Sequence, residues 1–204
     1  KIILFVSSHC HHSHSCCIIR LNLGKHLYGF YDNLKPKTPE DSTKGRKPGN
    51  YKWFEILDNT AYYREFEKSE KIIWGLTADK WAYTLDTEQH YLPSNAYILT
   101  SETIPIRFIL GLLNSKLLRY YFGFIGVMTA GGAYTLKAST IEALPIAIGT
   151  KQQQKEIALK VENILNAKAT NKQTDVSSSE HEIDCLVYNL YGLSENEIKI
   201  VEGV

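Results

Sequence analysis

Residues 106–146 constrain the chain most. They open with IRFILGLLNSKLLRYYFGF, where Ile106, Ile109, Leu110, Leu113, Leu117 and Tyr121 recur at intervals of three and four. That spacing predicts a helix from about 105 to 122 with one apolar face. Pro105 suits its first position, where a missing N–H costs nothing. A stripe of this width has to be covered, so the helix belongs in a core. Gly123 and Gly126 end it, and Gly131-Gly132 forces a tight turn before Tyr134-Thr135-Leu136-Lys137. A short strand is then expected to lead into Leu144-Pro145-Ile146.

The chain has 204 residues, of which 44% are apolar and 11% aromatic, enough for one compact domain with or without a small appendage. The net charge is +1 but uneven: residues 1–149 carry +4 and residues 150–204 carry −3. A polyanion would meet the first three quarters, not the tail. No apolar run reaches the roughly 20 residues of a membrane span, and KIILFV is shorter than the ~7–15-residue core of a signal peptide. Three of the four cysteines crowd at 10, 16 and 17, and Cys185 sits in a helical pattern. That is no disulfide framework, and it points to a cytoplasmic protein. A chain beginning at Lys1 is expected to be a fragment or a processed form.

Three segments are distinguished. Residues 1–24 read as a leader, disordered or foreign to the fold. Within it, SSHCHHSHSCC at 7–17 has ligand-type residues but not the spacing that lets several converge on zinc. Residues 25–149 read as the main domain. They hold a mobile Pro/Gly-rich loop at 36–49, a short helix around 60–67, and three strand candidates. These are Lys71-Ile72-Ile73-Trp74, Trp81-Ala82-Tyr83-Thr84-Leu85 and Ala96-Tyr97-Ile98-Leu99-Thr100. Trp53, Trp74 and Trp81 read as core or core-edge residues.

Residues 150–204 read as a helical tail. Capping boxes are expected at Thr150–Gln153, Ser179–Glu182 and Ser194–Glu197. Ile157, Ala158, Val161, Ile164 and Leu165 mark the face of a helix of about five turns, and 166–178 reads as a loose polar connection. Ile183, Leu186, Val187 and Leu190 mark the next helix, closed by Gly192 in a left-handed cap. The fold class is therefore α+β: a small curved sheet with packed helices, then a helical tail.

There is no Walker loop, nucleophile elbow or HExxH pattern. His26, His90 and His181 are scattered and read as surface residues. What remains suits contact with a polyanion. Lys44, Arg46, Lys47 and Lys52 lie in or beside a loop and interleave with Tyr51 and Trp53. Lysine and arginine serve phosphates, and long polar side chains serve base edges. The 126–137 loop is the second candidate. Its glycines allow close backbone approach, and Thr129, Tyr134 and Lys137 could face outward. Arg64 and Lys80 join the candidates on charge and position. The plainer readings are a solvated loop and a turn needed only to reverse the chain.

These segments together resemble the TaqI-like C-terminal specificity domain of type IIG restriction–modification proteins and related adenine-specific DNA methyltransferases. The resembling text is Tyr51-Lys52-Trp53-Phe54-Glu55-Ile56, Ala61-Tyr62-Tyr63, Phe66-Glu67-Lys68, Lys71-Ile72-Ile73-Trp74 and Tyr91-Leu92-Pro93-Ser94-Asn95. It continues through Leu112-Leu113-Asn114-Ser115-Lys116, Gly131-Gly132-Ala133-Tyr134, Leu144-Pro145-Ile146, Glu182-Ile183-Asp184 and Leu190-Tyr191-Gly192-Leu193-Ser194. The resemblance spans about 25–202. It departs from the family before residue 25 and at Lys68-Ser69-Glu70-Lys71, where Lys-Pro-Lys is usual.

The resemblance implies recognition of a double-stranded DNA target for an N6-adenine methyltransferase, with or without nuclease activity. This chain lacks the Asn-Pro-Pro-aromatic motif of such a catalytic domain. The implied chemistry, with its S-adenosylmethionine and as an open second cofactor Mg2+, belongs to a methyltransferase domain in the same parent chain. No cofactor is expected in this fragment. The alternatives are a protein-docking module using the tail helices, and a metal-dependent enzyme using the His/Cys tract.

Overall fold

The computed structural model describes residues 2–3, 25–40, 43–54, 63–93 and 95–204. The His/Cys tract, Glu55-Ile56 and Ala61-Tyr62 lie outside the described residues. Contacts divide the chain into two compact units, residues 64–204 with 1–5, and residues 6–63. The described strands are β1 (Ile2–Ile3), β2 (Lys71–Gly75), β3 (Thr77–Ala78), β4 (Thr84–Asp86), β5 (Ala96–Leu99), β6 (Val127–Met128) and β7 (Tyr134–Thr135). Residues 25–28 are helical, and the further described helices are α1 (Tyr31–Leu34), α2 (Tyr63–Phe66), α3 (Ile106–Asn114), α4 (Lys116–Ile125), α5 (Ala138–Glu142), α6 (Lys151–Thr170), α7 (Ser177–Tyr191) and α8 (Glu195–Glu202). The architecture is α+β, as expected.

In the larger unit an antiparallel sheet runs β1-β5-β2-β4. The strand period of two divides its residues between two apolar clusters. Ile72, Trp74 and Tyr97 face a core shared with α3, α4, α6 and α7, while Ile98 packs with Phe66 and Leu92 on the other side. A second sheet, β3-β7-β6, adjoins the first through Leu136. Its N–H donates to the Leu76 carbonyl, and its carbonyl accepts the Trp74 indole N–H at 3.0 Å. Trp74 and Trp81 are thus core and core-edge residues.

β2 also carries a buried lysine. Lys71 is fully buried opposite Asp86 on β4, and the two form an ion pair; the Lys71 ammonium also donates to the Phe66 carbonyl at 3.0 Å. Burial alone would raise the Asp86 carboxyl. Hydrogen bonds from Lys71, His90 and the Glu88 N–H outweigh it and hold Asp86 below the usual carboxylate range. His90 is a surface side chain, and its Nδ1 lies 2.8 Å from Asp86.

The structure corrects several sequence expectations. The single helix from 105 to 122 is two helices. Ser115, 2% exposed, leaves helical geometry, and its hydroxyl accepts the Leu118 N–H at 3.3 Å. The Lys116 N–H is taken at 2.8 Å by Asp184 from α7. With two first-turn donors satisfied from outside the ladder, the helix restarts. The restart turns the apolar face, so Leu118 and Phe122 are buried while Tyr121 is 39% exposed.

The strand expected after the glycine turn forms as β7 but does not lead into Leu144-Pro145-Ile146; α5 intervenes, its start set by Thr140 and Ile141 N–H groups donating to the Lys137 carbonyl. The strand expected at 81–85 pairs only over β4. The capping box at 179–182 does not form, because α7 starts at Ser177, three residues earlier than such a box requires, after Asp175 has accepted the Ser177 N–H. Glu182 instead pairs with Lys160 on α6. The other two boxes form as read, and Gly192 takes φ 68° in a left-handed cap. Finally α6 runs to Thr170, well into the segment read as loose. Lys168 closes it by donating to the Thr174 carbonyl at 2.7 Å.

α6 and α7 are part of the core, not an appendage. Gly111 in α3 lets them approach: a β-carbon there would lie 2.7 Å from Ile157 and 3.0 Å from Val161. The change in composition near residue 150 therefore does not coincide with a break in packing.

Candidate nucleic-acid interface

The sequence candidates fall in both compact units. In the smaller one, the 36–49 loop is closed at its base by a parallel bridge between Pro36 and Arg46. The Lys37 N–H donates to the Arg46 carbonyl and the Arg46 N–H to the Lys35 carbonyl, at 3.0 and 2.9 Å. Gly45, at φ 116°, is required there, since a β-carbon would meet the Lys35 carbonyl oxygen at 2.6 Å.

Arg46 is spent on the scaffold. Its Nε donates to the Leu34 carbonyl at 2.6 Å, one Nη donates to the Trp53 carbonyl at 3.0 Å, and the guanidinium lies 4.7 Å from the centre of the Tyr51 ring. The Tyr51 hydroxyl donates to the Lys47 carbonyl. Arg46 and Tyr51 therefore hold the loop in shape. Lys44, Lys47 and Lys52 are the exposed cations it displays. Beside them Trp53 sits edge-on to Tyr28, Tyr31 and Phe54, a cluster whose outer rings are largely exposed.

In the larger unit the small sheet gathers four candidates. β6 and β7 form a hairpin, and β3 pairs with β7 so that Ala78 faces Tyr134. This brings exposed Lys80 beside the hairpin that carries Thr129, Tyr134 and Lys137. Arg64, on α2, is exposed and lies off this sheet.

The hairpin turn is closed internally. The Thr129 N–H donates to the Ala133 carbonyl at 2.8 Å, and the Thr129 hydroxyl accepts the Ala133 N–H at 3.1 Å. Gly132, at φ 81°, needs to be glycine for the turn. Gly131 does not; a β-carbon there would meet nothing closer than 3.9 Å. Tyr134 is half-buried against Trp81 and Phe122, and its hydroxyl accepts from Arg119 Nε at 3.1 Å. It therefore supports an arginine that sequence reasoning missed. The α4 periodicity placed Arg119 on an ordinary solvent face, and nothing local announces the contact.

A cleft of about 570 Å³ opens between the 81–85 segment and helices α3, α4, α6 and α7. Two of its charged groups, Asp184 and Lys116, are already engaged. Asp184 accepts the Lys116 N–H, and burial still pushes its carboxyl above the usual range. Lys116 pairs with Glu202 at 2.5 Å. Among the described residues no three His, Cys, Asp or Glu side chains gather to hold a metal, and no helix is long and apolar enough to cross a membrane.

The sequence profile of the TaqI-like C-terminal specificity domain matches residues 20–146. The chain belongs to this family. No curated protein matches it in sequence. Among solved structures it is similar to the type IIL restriction-modification enzyme MmeI, determined in complex with DNA. The two share 14% identity at a TM-score of 0.57, over 88% of this chain and 25% of that one. The chain thus spans about a quarter of that enzyme's length.

The texts resembling the specificity domain prove to be its joints. Asn114 holds the Tyr83 backbone on both sides, accepting its N–H at 3.0 Å and donating to its carbonyl at 3.1 Å. Ser115 caps α4, and Lys116 reaches Asp184 and Glu202. The Tyr191 hydroxyl donates to the Pro145 carbonyl at 2.5 Å and accepts the Ala147 N–H at 3.0 Å. The Leu-Leu-Asn-Ser-Lys and Glu-Ile-Asp texts therefore meet, as do Leu-Pro-Ile and Leu-Tyr-Gly-Leu-Ser. These contacts join the matched residues to the helices that follow them.

Proposed function

We propose that this chain is the DNA target-recognition module of a larger restriction–modification protein. The observation that carries the reading is the specificity-domain match over residues 20–146. The geometry supports it: exposed lysines on a shaped loop suit phosphate contact, and a stiff hairpin with a glycine tip suits close approach to a duplex. The catalytic step is assigned to a methyltransferase domain elsewhere in the same parent chain. That domain would bind S-adenosylmethionine and modify adenine at N6, with Mg2+ serving any cleavage. We place the parent protein in the cytoplasm, where it meets DNA.

The docking alternative has lost its main feature. Ile157 and Val161 of α6 and Ile183 and Val187 of α7 are buried against α3 and the rest of the core, while Leu159 on α6 and Ile200 on α8 are exposed singly. Single exposed apolar residues are ordinary.

Duplex binding by the chain as a function of salt tests the proposal. Counterion release gives a slope of about 0.9 per phosphate neutralised. Replacing Lys44, Lys47 and Lys52 together by alanine should lower affinity at low salt and reduce the slope by up to about 2.7. Arg46 is left intact because its loss would unshape the loop. A wild-type chain that binds no duplex at low salt would sink the proposal. An unchanged slope in the triple variant would remove the loop from the interface.

A further inference from the structure

The far end of α4 and β6 carries a run of exposed apolar side chains. Phe124 is 70% exposed, Val127 60% and Met128 48%. Tyr120 packs edge-on against Phe124 with ring centres 5.1 Å apart, and is itself partly exposed. These side chains are not an unfinished core, because α4 already buries Leu118 and Phe122 on its inner face. A continuous exposed run of this kind marks a contact surface.

Its charge environment selects the partner. From residue 103 to 141 the sequence contains no Asp or Glu. Of its four cations, Arg107 is paired with Glu70 and Glu162, and Lys116 with Glu202. Arg119 and Lys137 have no ion pair among the described residues. They flank the apolar run, and Tyr134 holds the Arg119 side chain in place. An apolar run on a segment without carboxylates, bordered in sequence by two cations, is complementary to a polyanion with apolar edges, which describes a DNA duplex.

We propose that Phe124, Val127 and Met128 make the apolar base contacts of this module, with Arg119 and Lys137 anchoring the adjoining phosphates. The inference rests on the target-recognition reading and assigns part of it to named residues. Apolar side chains read DNA either against the thymine methyl group or by wedging between base steps. The internally bonded turn keeps the hairpin stiff. The open space over Gly131 lets its backbone come close to the duplex.

The test starts with selection by the 204-residue chain from a pool of random-sequence duplexes, followed by binding to the selected duplex. Phe124→Ser, Val127→Ser and Met128→Ser combined should lower affinity for that duplex about tenfold and relax the selected sequence at adjacent positions. The salt slope should stay unchanged, because no phosphate contact is lost. Arg119→Gln should reduce the slope by about one while selection persists.

Uracil in place of thymine, and 2-aminopurine fluorescence, distinguish methyl contact from unstacking. If the triple variant does not fold, Gly131→Val replaces it. Its side chain has room in the free protein and should lower affinity by blocking approach. Wild-type chain that selects no sequence overturns this inference together with the reading beneath it. Wild-type and variant chains selecting the same sequence equally well overturn this inference alone.

Discussion

At Gly111 a single hydrogen decides how closely two helices pack. Alanine there would drive its β-carbon into Ile157 and Val161, and overpacking of this kind costs about 1–3 kcal/mol. Gly111→Ala should therefore lower the urea midpoint with an unchanged m-value. The sequence offers no sign of this, since an isolated glycine in an apolar helix pattern reads as a mild defect. The glycine pair at 131–132 was legible as a turn, but only φ values separate Gly132, which the turn requires, from Gly131, which it does not. Arg46 teaches the converse. Its charge was legible, but its partners are carbonyls at Leu34, Lys52 and Trp53 that no spacing rule connects.

Pairing between strands β2 and β4 sets the response of the sheet to acid. In the fold Asp86 ionises below its ordinary value of about 3.9. As pH falls the unfolded chain takes up this proton first, so the Asp86 contribution is present above that value and lost below it. Acid unfolding should begin there, followed by circular dichroism. Asp86→Asn should remove that part of the pH dependence. It should also cost about 3–5 kcal/mol at neutral pH, because it leaves Lys71 buried without its counter-charge.

Elements built on periodicity were legible: β2, β5, α6 and the buried face of α7 lie where the apolar spacing puts them. Junctions were not. Ser115 splits a helix because Asp184, 69 residues away in sequence, supplies an acceptor, and a periodic pattern carries no information about such a partner. Ser115→Ala should cost about 1 kcal/mol by denaturant titration, the usual worth of an N-cap.

Across the larger unit, the helices after residue 150 complete the core instead of extending it. Ile157, Val161, Ile183 and Val187 are all buried in the same cluster as Leu112 and Leu113. A chain ending at residue 149 should expose that cluster, bind a hydrophobic dye and lose its cooperative thermal transition. Retention of a sharp transition would show that the core closes without them. The charge asymmetry of the sequence bears only on where a polyanion would meet the chain. It could not show that the tail underpins the part it follows.

One turn, Asn114-Ser115-Lys116, joins the 81–83 segment, α4, α7 and α8. Exchange of a homologous segment within 64–204 would have to match all of these partners at once. Crossovers there are poor routes to a new target preference. Point changes on the displayed loop and the hairpin leave the joints alone, so variation in this lineage should accumulate on those two segments, with descent recorded in the turn that cannot be spliced.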